Sequence, residues 1–182
     1  MKKTVLAAVI LMFVFAGNLK ADTYGKMNYF GINPLGLLFN IYSGEYGRFL
    51  DEQGSTEINV PFVFWAYSDW SYIGIGAKYR IYKDGNGAGV YYGGGLYVTS
   101  FNWDYSYWDG GVRKKGSSNW MTFSPKGELG YRWSWPSGWT IAPSIELGYK
   151  VSTYKDPFSG ASSDYGTSGF DWGLNIGLAF MF

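Results

Sequence analysis

The last stretch of the chain alternates strictly. Phe170, Trp172, Leu174, Ile176, Leu178, Phe180 and Phe182 are large and apolar, and Asp171, Gly173, Asn175, Gly177, Ala179 and Met181 lie between them. Successive side chains of a strand point to opposite faces, so a period of two predicts a strand with one apolar and one mostly small or polar face. About ten such residues, tilted, are enough to cross a bilayer.

Read back from Phe182, the same alternation bounded by turn residues predicts eight strands, at 24–33, 36–50, 56–67, 70–83, 88–103, 120–135, 139–153 and 169–182. Asp51 to Ser55, Asp84-Gly85-Asn86-Gly87 and Pro136-Ser137-Gly138 read as short turns. Asp104 to Asn119 and Tyr154 to Ser168 read as long loops, so short turns and long loops fall at opposite ends. The first hairpin departs from this scheme. Asn33-Pro34-Leu35-Gly36 is a tight turn at the long-loop end, and Ser43 to Gly47 interrupts the alternation of Leu37, Phe39 and Ile41. A β-bulge near Gly44 would restore the phase.

Two faces follow. Rows such as Ile58, Val60, Phe62, Phe64 and Ile141, Ile145, Leu147, Tyr149, Val151 carry no charge. The opposite face holds Glu57, Lys78, Arg80, Lys126, Glu128, Arg132, Glu146, Lys150 and Asp171, interleaved with glycines. A soluble lipocalin-like barrel has the same period with its apolar face turned inward. The glycine-rich polar face instead suits a narrow interior. Trp65, Tyr67, Trp70, Trp103 and Trp120 at one set of strand ends, and Trp133, Trp135, Trp139 and Phe182 at the other, suit membrane-interface girdles. The expected fold is therefore all-β, an eight-stranded antiparallel up-and-down transmembrane β-barrel, monomeric.

Eight strands leave room for side chains but not for an open pore. The placed inward charges number five basic and four acidic, nearly balanced, and buried charges persist when paired and hydrogen-bonded. The expectation is a lumen plugged by ion pairs. Glu128-Leu129-Gly130-Tyr131-Arg132 recurs as Glu146-Leu147-Gly148-Tyr149-Lys150 in the neighbouring strand. A turn centred near Gly138 makes Glu128 and Lys150 diagonal neighbours, with Arg132 and Glu146. Centring on Ser137 would oppose the two glutamates, so electrostatics favours the first register.

Composition narrows the chemistry. The chain has no histidine and no cysteine, 21% aromatic residues, 27 glycines and 16% charged residues. Without histidine, the ordinary base for acyl transfer or proteolysis is missing, and carboxylates inside a closed barrel meet no substrate; the reading is not an enzyme. No metal site or cofactor is expected, because His and Cys are absent and no calcium-loop pattern occurs.

Lys2, Lys3 and the apolar run Thr4 to Ala16 read as a Sec-type export signal cut after Ala21, with a cut after Ala16 as a rival. Residues 1–21 are then a cleaved signal peptide and 22–182 one barrel domain. Removing the three lysines at 2, 3 and 20 from the 15 basic residues leaves 12 against 14 acidic ones, which makes no case for nucleic acid. Arg113-Lys114-Lys115, near Trp108 and other loop aromatics, is a candidate surface site for the phosphates and sugars of lipopolysaccharide or an anionic host polymer.

The signal, the eight alternating strands, the aromatic strand ends, the charged inner face and terminal Phe182 together resemble the small bacterial outer-membrane β-barrels, the class of the OmpA transmembrane domain and OmpX. Asn33-Pro34-Leu35-Gly36-Leu37-Leu38-Phe39 with Gly44-Glu45-Tyr46 is also similar to the opening strands of uncharacterised barrels of that class. The resemblance implies an outer-membrane location, contact with lipid and lipopolysaccharide, and handling by periplasmic chaperones and the barrel-assembly machinery, with Leu178, Phe180 and Phe182 as the assembly signal. It leaves the role open. The expected one is structural or surface-interaction (adhesion or envelope integrity). The alternatives are a narrow channel for small solutes or ions, and a lipocalin-like periplasmic or secreted binder.

Overall fold

The computed structural model describes residues 25–155 and 164–182; the expected signal peptide, 1–21, lies outside them. Eight strands run in order: β1 (Asn28–Ile32), β2 (Ile41–Phe49), β3 (Thr56–Tyr67), β4 (Trp70–Tyr82), β5 (Gly89–Asp109), β6 (Val112–Ser134), β7 (Trp139–Lys155) and β8 (Asp164–Met181). Each pairs antiparallel with its neighbours, and β1 pairs with β8 to close the barrel. The backbone of the last residue completes that seam, because Phe182 N donates to Asn28 O at 2.8 Å and Asn28 N to Phe182 O at 3.1 Å. The closing ladder spans only Tyr29–Met181 to Ile32–Leu178, so the ring is sealed at the short-turn end, while β8 continues beyond β1 without a strand partner on that side among the described residues.

The period of two sorts the side chains as the sequence implied. Leu174 is 70% exposed on the outside, whereas Arg80 and Glu57 on the opposite parity are 1% and 0% exposed. The apolar rows, including Ile58, Phe62, Ile75, Leu96, Leu129 and Leu147, cover the exterior, and the charges fill the interior. A lipocalin-like arrangement has these faces the other way round.

Two expectations are corrected. The long loop Asp104 to Asn119 is strand: β5 and β6 stay in register to the Asp109–Val112 pair and turn through Gly110-Gly111. Both glycines have positive φ (57° and 84°), the requirement of the tight primed turn that matches strand twist. Likewise β7 runs to Lys155 and β8 begins at Asp164, so the second expected loop shrinks to a connection, 156–163, that lies outside the described residues. The barrel is therefore lopsided. β1 and β2 have 5 and 9 residues, β5 and β6 have 21 and 23. At ~3.3 Å per residue the β5–β6 hairpin extends well beyond the ten or so residues that a bilayer needs.

The first hairpin also differs. Instead of a strand from residue 36, a short helix α1 (Pro34–Leu37) is capped by Asn33, whose side chain accepts from Leu35 N and Gly36 N. Asn40 then adopts φ 59° and starts β2 at Ile41. This resets the phase, so the pairing of β2 with both neighbours runs unbroken through Gly44 and no bulge occurs there. Ser43, Glu45 and Gly47 face inward, and Tyr42 and Tyr46 outward.

At the other end the short turns interlock. Asn86 N and Gly87 N of the β4–β5 turn donate to Gln53 O and Gly54 O of the β2–β3 turn at 2.5 and 2.9 Å. Asp51 holds the latter turn: its carboxylate accepts from Ser55 N, Thr56 N and Thr56 Oγ1 at 2.8, 2.9 and 2.7 Å. Partial desolvation pushes this carboxyl up, but the hydrogen bonds outweigh it and hold it below the ordinary aspartate range. The stabilising contribution is therefore full above the ordinary carboxylate pKa of about 4 and fades as pH falls through the depressed value. Asp51→Ala is expected to cost about 1 kcal/mol in neutral urea titrations. The difference from the parent protein should shrink below pH 4; a difference constant between pH 6 and 3 would show that the charge plays no part.

Candidate functional site

Inward parity and the narrow bore bring charged residues of six strands, β2 to β4 and β6 to β8, into one chain of ion pairs. Arg132 Nη1 meets Glu57 Oε2 at 2.9 Å, and Glu57 Oε1 accepts from Arg80 Nη1 at 2.8 Å. Arg80 grips Glu128 with Nε and Nη2 (2.7 and 2.9 Å) and Glu45 with Nη2 (2.9 Å). Lys78 Nζ lies 3.2 Å from Glu128 and 3.1 Å from Glu146. Lys126 continues to Glu146 at 3.6 Å and Asp171 at 3.0 Å. Tyrosines complete the shell: Tyr29 and Tyr82 donate to Glu57 at 2.8 Å, and Tyr97 donates to Glu146 at 2.7 Å. Buried charges are tolerable when neutralised and hydrogen-bonded in this way.

The interior is layered along the barrel axis. At the short-turn end, Tyr29, Phe49, Tyr82, Tyr91 and Met181 form a buried apolar cluster. The Arg132 guanidinium carbon sits 4.3 Å from the Tyr29 ring centroid and 5.2 Å from that of Tyr82, in cation–π range of both, while Nη1 is engaged by Glu57. The close approach of Tyr29 to β2 requires Gly47, since a Cβ there would collide with the ring. The ion pairs form the middle layer. Beyond them two cavities open toward the long hairpins. A smaller one of about 160 Å³ has Glu45, Lys78 and Glu146 in its floor, and a larger one of about 470 Å³ is walled by Thr99, Ser124, Ser152, Phe101, Trp120 and Lys150.

The expected β6–β7 register is corrected. Glu128 stands directly opposite Glu146, the arrangement set aside on electrostatic grounds. The turn decides it: Trp135 N donates to Trp139 O at 2.9 Å around Pro136-Ser137-Gly138, and Gly138 has φ 97°. That is the three-residue hairpin loop with glycine at its left-handed position, which centres on Ser137. The cost of opposing two carboxylates is met chiefly from outside the hairpin, because Lys78 of β4 lies between them, with Lys126 of β6 adding a longer contact to Glu146.

Other candidate residues are placed as follows. Glu57, Lys78, Arg80, Lys126, Glu128, Arg132, Glu146 and Asp171 join the network; Lys150 lines the larger cavity and has no ion pair among the described residues. Glu45 was missed, because the supposed bulge hid its inward parity; counting back by twos from inward Phe49 finds it. With Glu45 the inward charges balance, five basic against five acidic. Arg113, Lys114 and Lys115 sit on the tip of the β5–β6 hairpin rather than in a loop, split between its faces. Arg113 lies opposite Trp108, which is 73% exposed, and Lys114 pairs with Asp109. Leu178, Phe180 and Phe182 lie on the outer face of β8 beside the β1 seam. Trp133 and Trp139 face outward at the short-turn end, as a girdle would. Trp65, Tyr67, Trp70, Trp103 and Trp120 do not: all carry the inward parity and gather at the mouth. Among the described residues no group of three or more His, Cys, Asp or Glu is arranged to hold a metal ion.

Fold and interior together define a closed eight-stranded barrel with apolar rows outside and a charge-filled core. Among solved structures, the chain is similar to the N-terminal β-barrel domain of Pseudomonas aeruginosa OprF, at 14% identity over 86% of this chain and 96% of that one, with a TM-score of 0.43. No protein-family model matches the sequence, and no curated protein matches it either.

Removing one member of this network strands the others. Glu57→Ala leaves Arg132 and Arg80 short of a counter-charge and two tyrosine hydroxyls short of an acceptor, and should cost about 3–5 kcal/mol in denaturant unfolding. Arg113→Ala at the hairpin tip should change stability by less than about 0.5 kcal/mol. Equal effects from the two would mean that the core charges are solvated and uncoupled.

Proposed function

We propose that the chain is a small integral barrel of the bacterial outer membrane with a structural or surface-interaction role, its lumen closed by the ion-pair network. The observation that carries this reading is the inversion of polarity: a continuous belt of exposed Ile, Leu, Val, Phe and Tyr surrounds a core of buried charges. In water such a belt is far larger than the apolar patches that soluble monomers show, whereas in lipid it is the favourable surface. Trp133 and Trp139 at one end and Leu38 and Phe39 beside α1 at the other are placed where a bilayer's interfaces would meet the wall.

On this reading the protein is exported by its N-terminal signal, escorted by periplasmic chaperones and inserted by the assembly machinery through Leu178, Phe180 and Phe182. It carries no catalysis. The tall β5–β6 hairpin then presents Trp108, Arg113 and Lys115 to the outside, where lipopolysaccharide phosphates or an external polymer are within reach. The two cavities favour a narrow channel as the second reading, but the smaller one ends on Glu45, Lys78 and Glu146, and the aromatic layer lies beyond.

Cell fractionation combined with gel mobility tests the reading. The protein should sit in outer membranes and migrate differently in SDS before and after boiling; a soluble protein with no shift would overturn it. Purified barrels in planar bilayers should show no stable conductance steps, and regular steps would instead establish the channel. Leu147→Arg, on the outer face at mid-strand, should cost about 2–4 kcal/mol of stability in lipid vesicles, while Thr99→Arg on the cavity wall should cost far less.

A further inference from the structure

The larger cavity has walls of an unusual mixture. Phe101 and Trp120 stack with ring centroids 4.4 Å apart and planes 26° from parallel, so together they form one broad plate. Next to it on the same two strands lie the hydroxyls of Thr99, Thr122 and Ser124, with Ser152 of β7 hydrogen-bonded to Thr122 at 2.6 Å, and Lys150 and Asp171 also line the cavity. The plate does not end at the cavity. Trp70 sets its edge against Phe101 at 5.4 Å and lies 6.5 Å from Trp103, and Tyr105 and Tyr107 follow at 5.3 and 6.0 Å steps. All of these rings share the inward parity, so a ladder of rings runs from the hairpin's upper part down into the barrel mouth.

An acyl chain would gain from the rings but strand the hydroxyls of Thr99 and Ser124, which then lose water without finding partners, and would leave the Thr122–Ser152 pair unused. A free inorganic anion would meet Lys150 but gain nothing from the rings. Sugar rings satisfy both walls, since their C–H faces lie against aromatic faces and their hydroxyl edges exchange hydrogen bonds with Ser and Thr. The cation sets the charge. Lys126 is already held by Asp171 and Glu146, whereas Lys150, with no ion pair among the described residues, is placed to meet a negative substituent.

We propose that this vestibule binds a short acidic oligosaccharide, with Phe101 and Trp120 as its stacking plate, the threonine and serine hydroxyls as its polar wall, and Lys150 as the partner of the ligand's anionic group. The ladder Trp103-Tyr105-Tyr107 gives the chain of sugars a path from the hairpin into the site. The inference goes beyond the membrane role proposed above. Because binding is read in detergent micelles, its failure would leave that role standing, and failure of the membrane reading would leave the binding measurable.

The test titrates the full mature barrel, folded in micelles, with trigalacturonate, maltotriose and dodecanoate, following tryptophan fluorescence and heat of binding. Trigalacturonate should bind saturably and about tenfold or more tighter than maltotriose, a difference of about 1.4 kcal/mol. Lys150→Gln, an exposed change, should bring the two sugars within about threefold of each other. Phe101→Leu, which keeps an apolar side chain, should weaken both sugars, with heat-modifiable gel mobility confirming the fold. Absence of saturable trigalacturonate binding, equal affinity for the two sugars, a preference unchanged in Lys150→Gln, or tighter binding of dodecanoate would each overturn the proposal.

Discussion

The constraint on which the structure depends is that charged side chains inside a narrow closed barrel have only one another as partners. Eight strands leave a bore that side chains fill, and around the middle of the wall an exterior of Ile, Leu and Phe leaves charges no other side to occupy, Arg48 facing outward only near the short-turn end of β2. Arg80 shows the consequence: 1% exposed, it binds Glu45, Glu57 and Glu128 with three different nitrogens, drawing together β2, β3, β4 and β6. A network of this kind is weak evidence for stability by itself, because desolvation opposes the Coulomb gain. Its effect is on uniqueness, since a strand shifted by one residue would send charges outward and leave others buried alone.

That coupling explains how β6 and β7 can oppose two glutamates. Locally the pairing is unfavourable, and within the hairpin only Lys126 reaches one of the two carboxylates, Glu146, at 3.6 Å. The turn chemistry of Pro136-Ser137-Gly138 imposes it, and Lys78, two strands away, offsets it. A nearest-neighbour balance of charges therefore misjudges a barrel, in which the far wall is as close as the adjacent strand.

The legible part of the chain is the part governed by period and by turn residues. The eight strands, the three short turns and the inward set Glu57, Lys78, Arg80, Lys126, Glu128, Arg132, Glu146 and Asp171 follow from alternation. The misread parts have specific causes. Asp104 to Asn119 is rich in Ser, Gly and charge and so resembles a loop, yet Trp103, Tyr105 and Tyr107 alternate with Asp104, Ser106 and Trp108, and the paired glycines at 110 and 111 supply the turn. Glu45 is hidden because α1 and left-handed Asn40 shift the phase of β2, and the interrupted alternation after Ile41 shows that the phase changes without showing whether a bulge or a turn changes it. The aromatic mouth resembles a girdle in composition, yet Trp70, Trp103 and Trp120 lie on the same inward parity as Lys78, Gly95 and Lys126.

Layering of the interior ties these points together. Next to the short turns, where the backbone is held by interlocked hydrogen bonds, Tyr29, Phe49, Tyr82 and Tyr91 surround Arg132, whose Nη1 is bound by Glu57. In the middle the charges cancel among themselves. Toward the long hairpins the network thins from Arg80, which holds three carboxylates, to Lys126 with Glu146 and Asp171, and hydroxyls and cavities replace the ion pairs. The cavities lie in the direction of strand length, so the open end is the one with the tallest walls. A barrel needed only as a membrane plug gains nothing from carrying its ring-bearing strands past the layer that closes it. The extended β5–β6 wall makes physical sense as the side of a vessel whose floor is the ion-pair network.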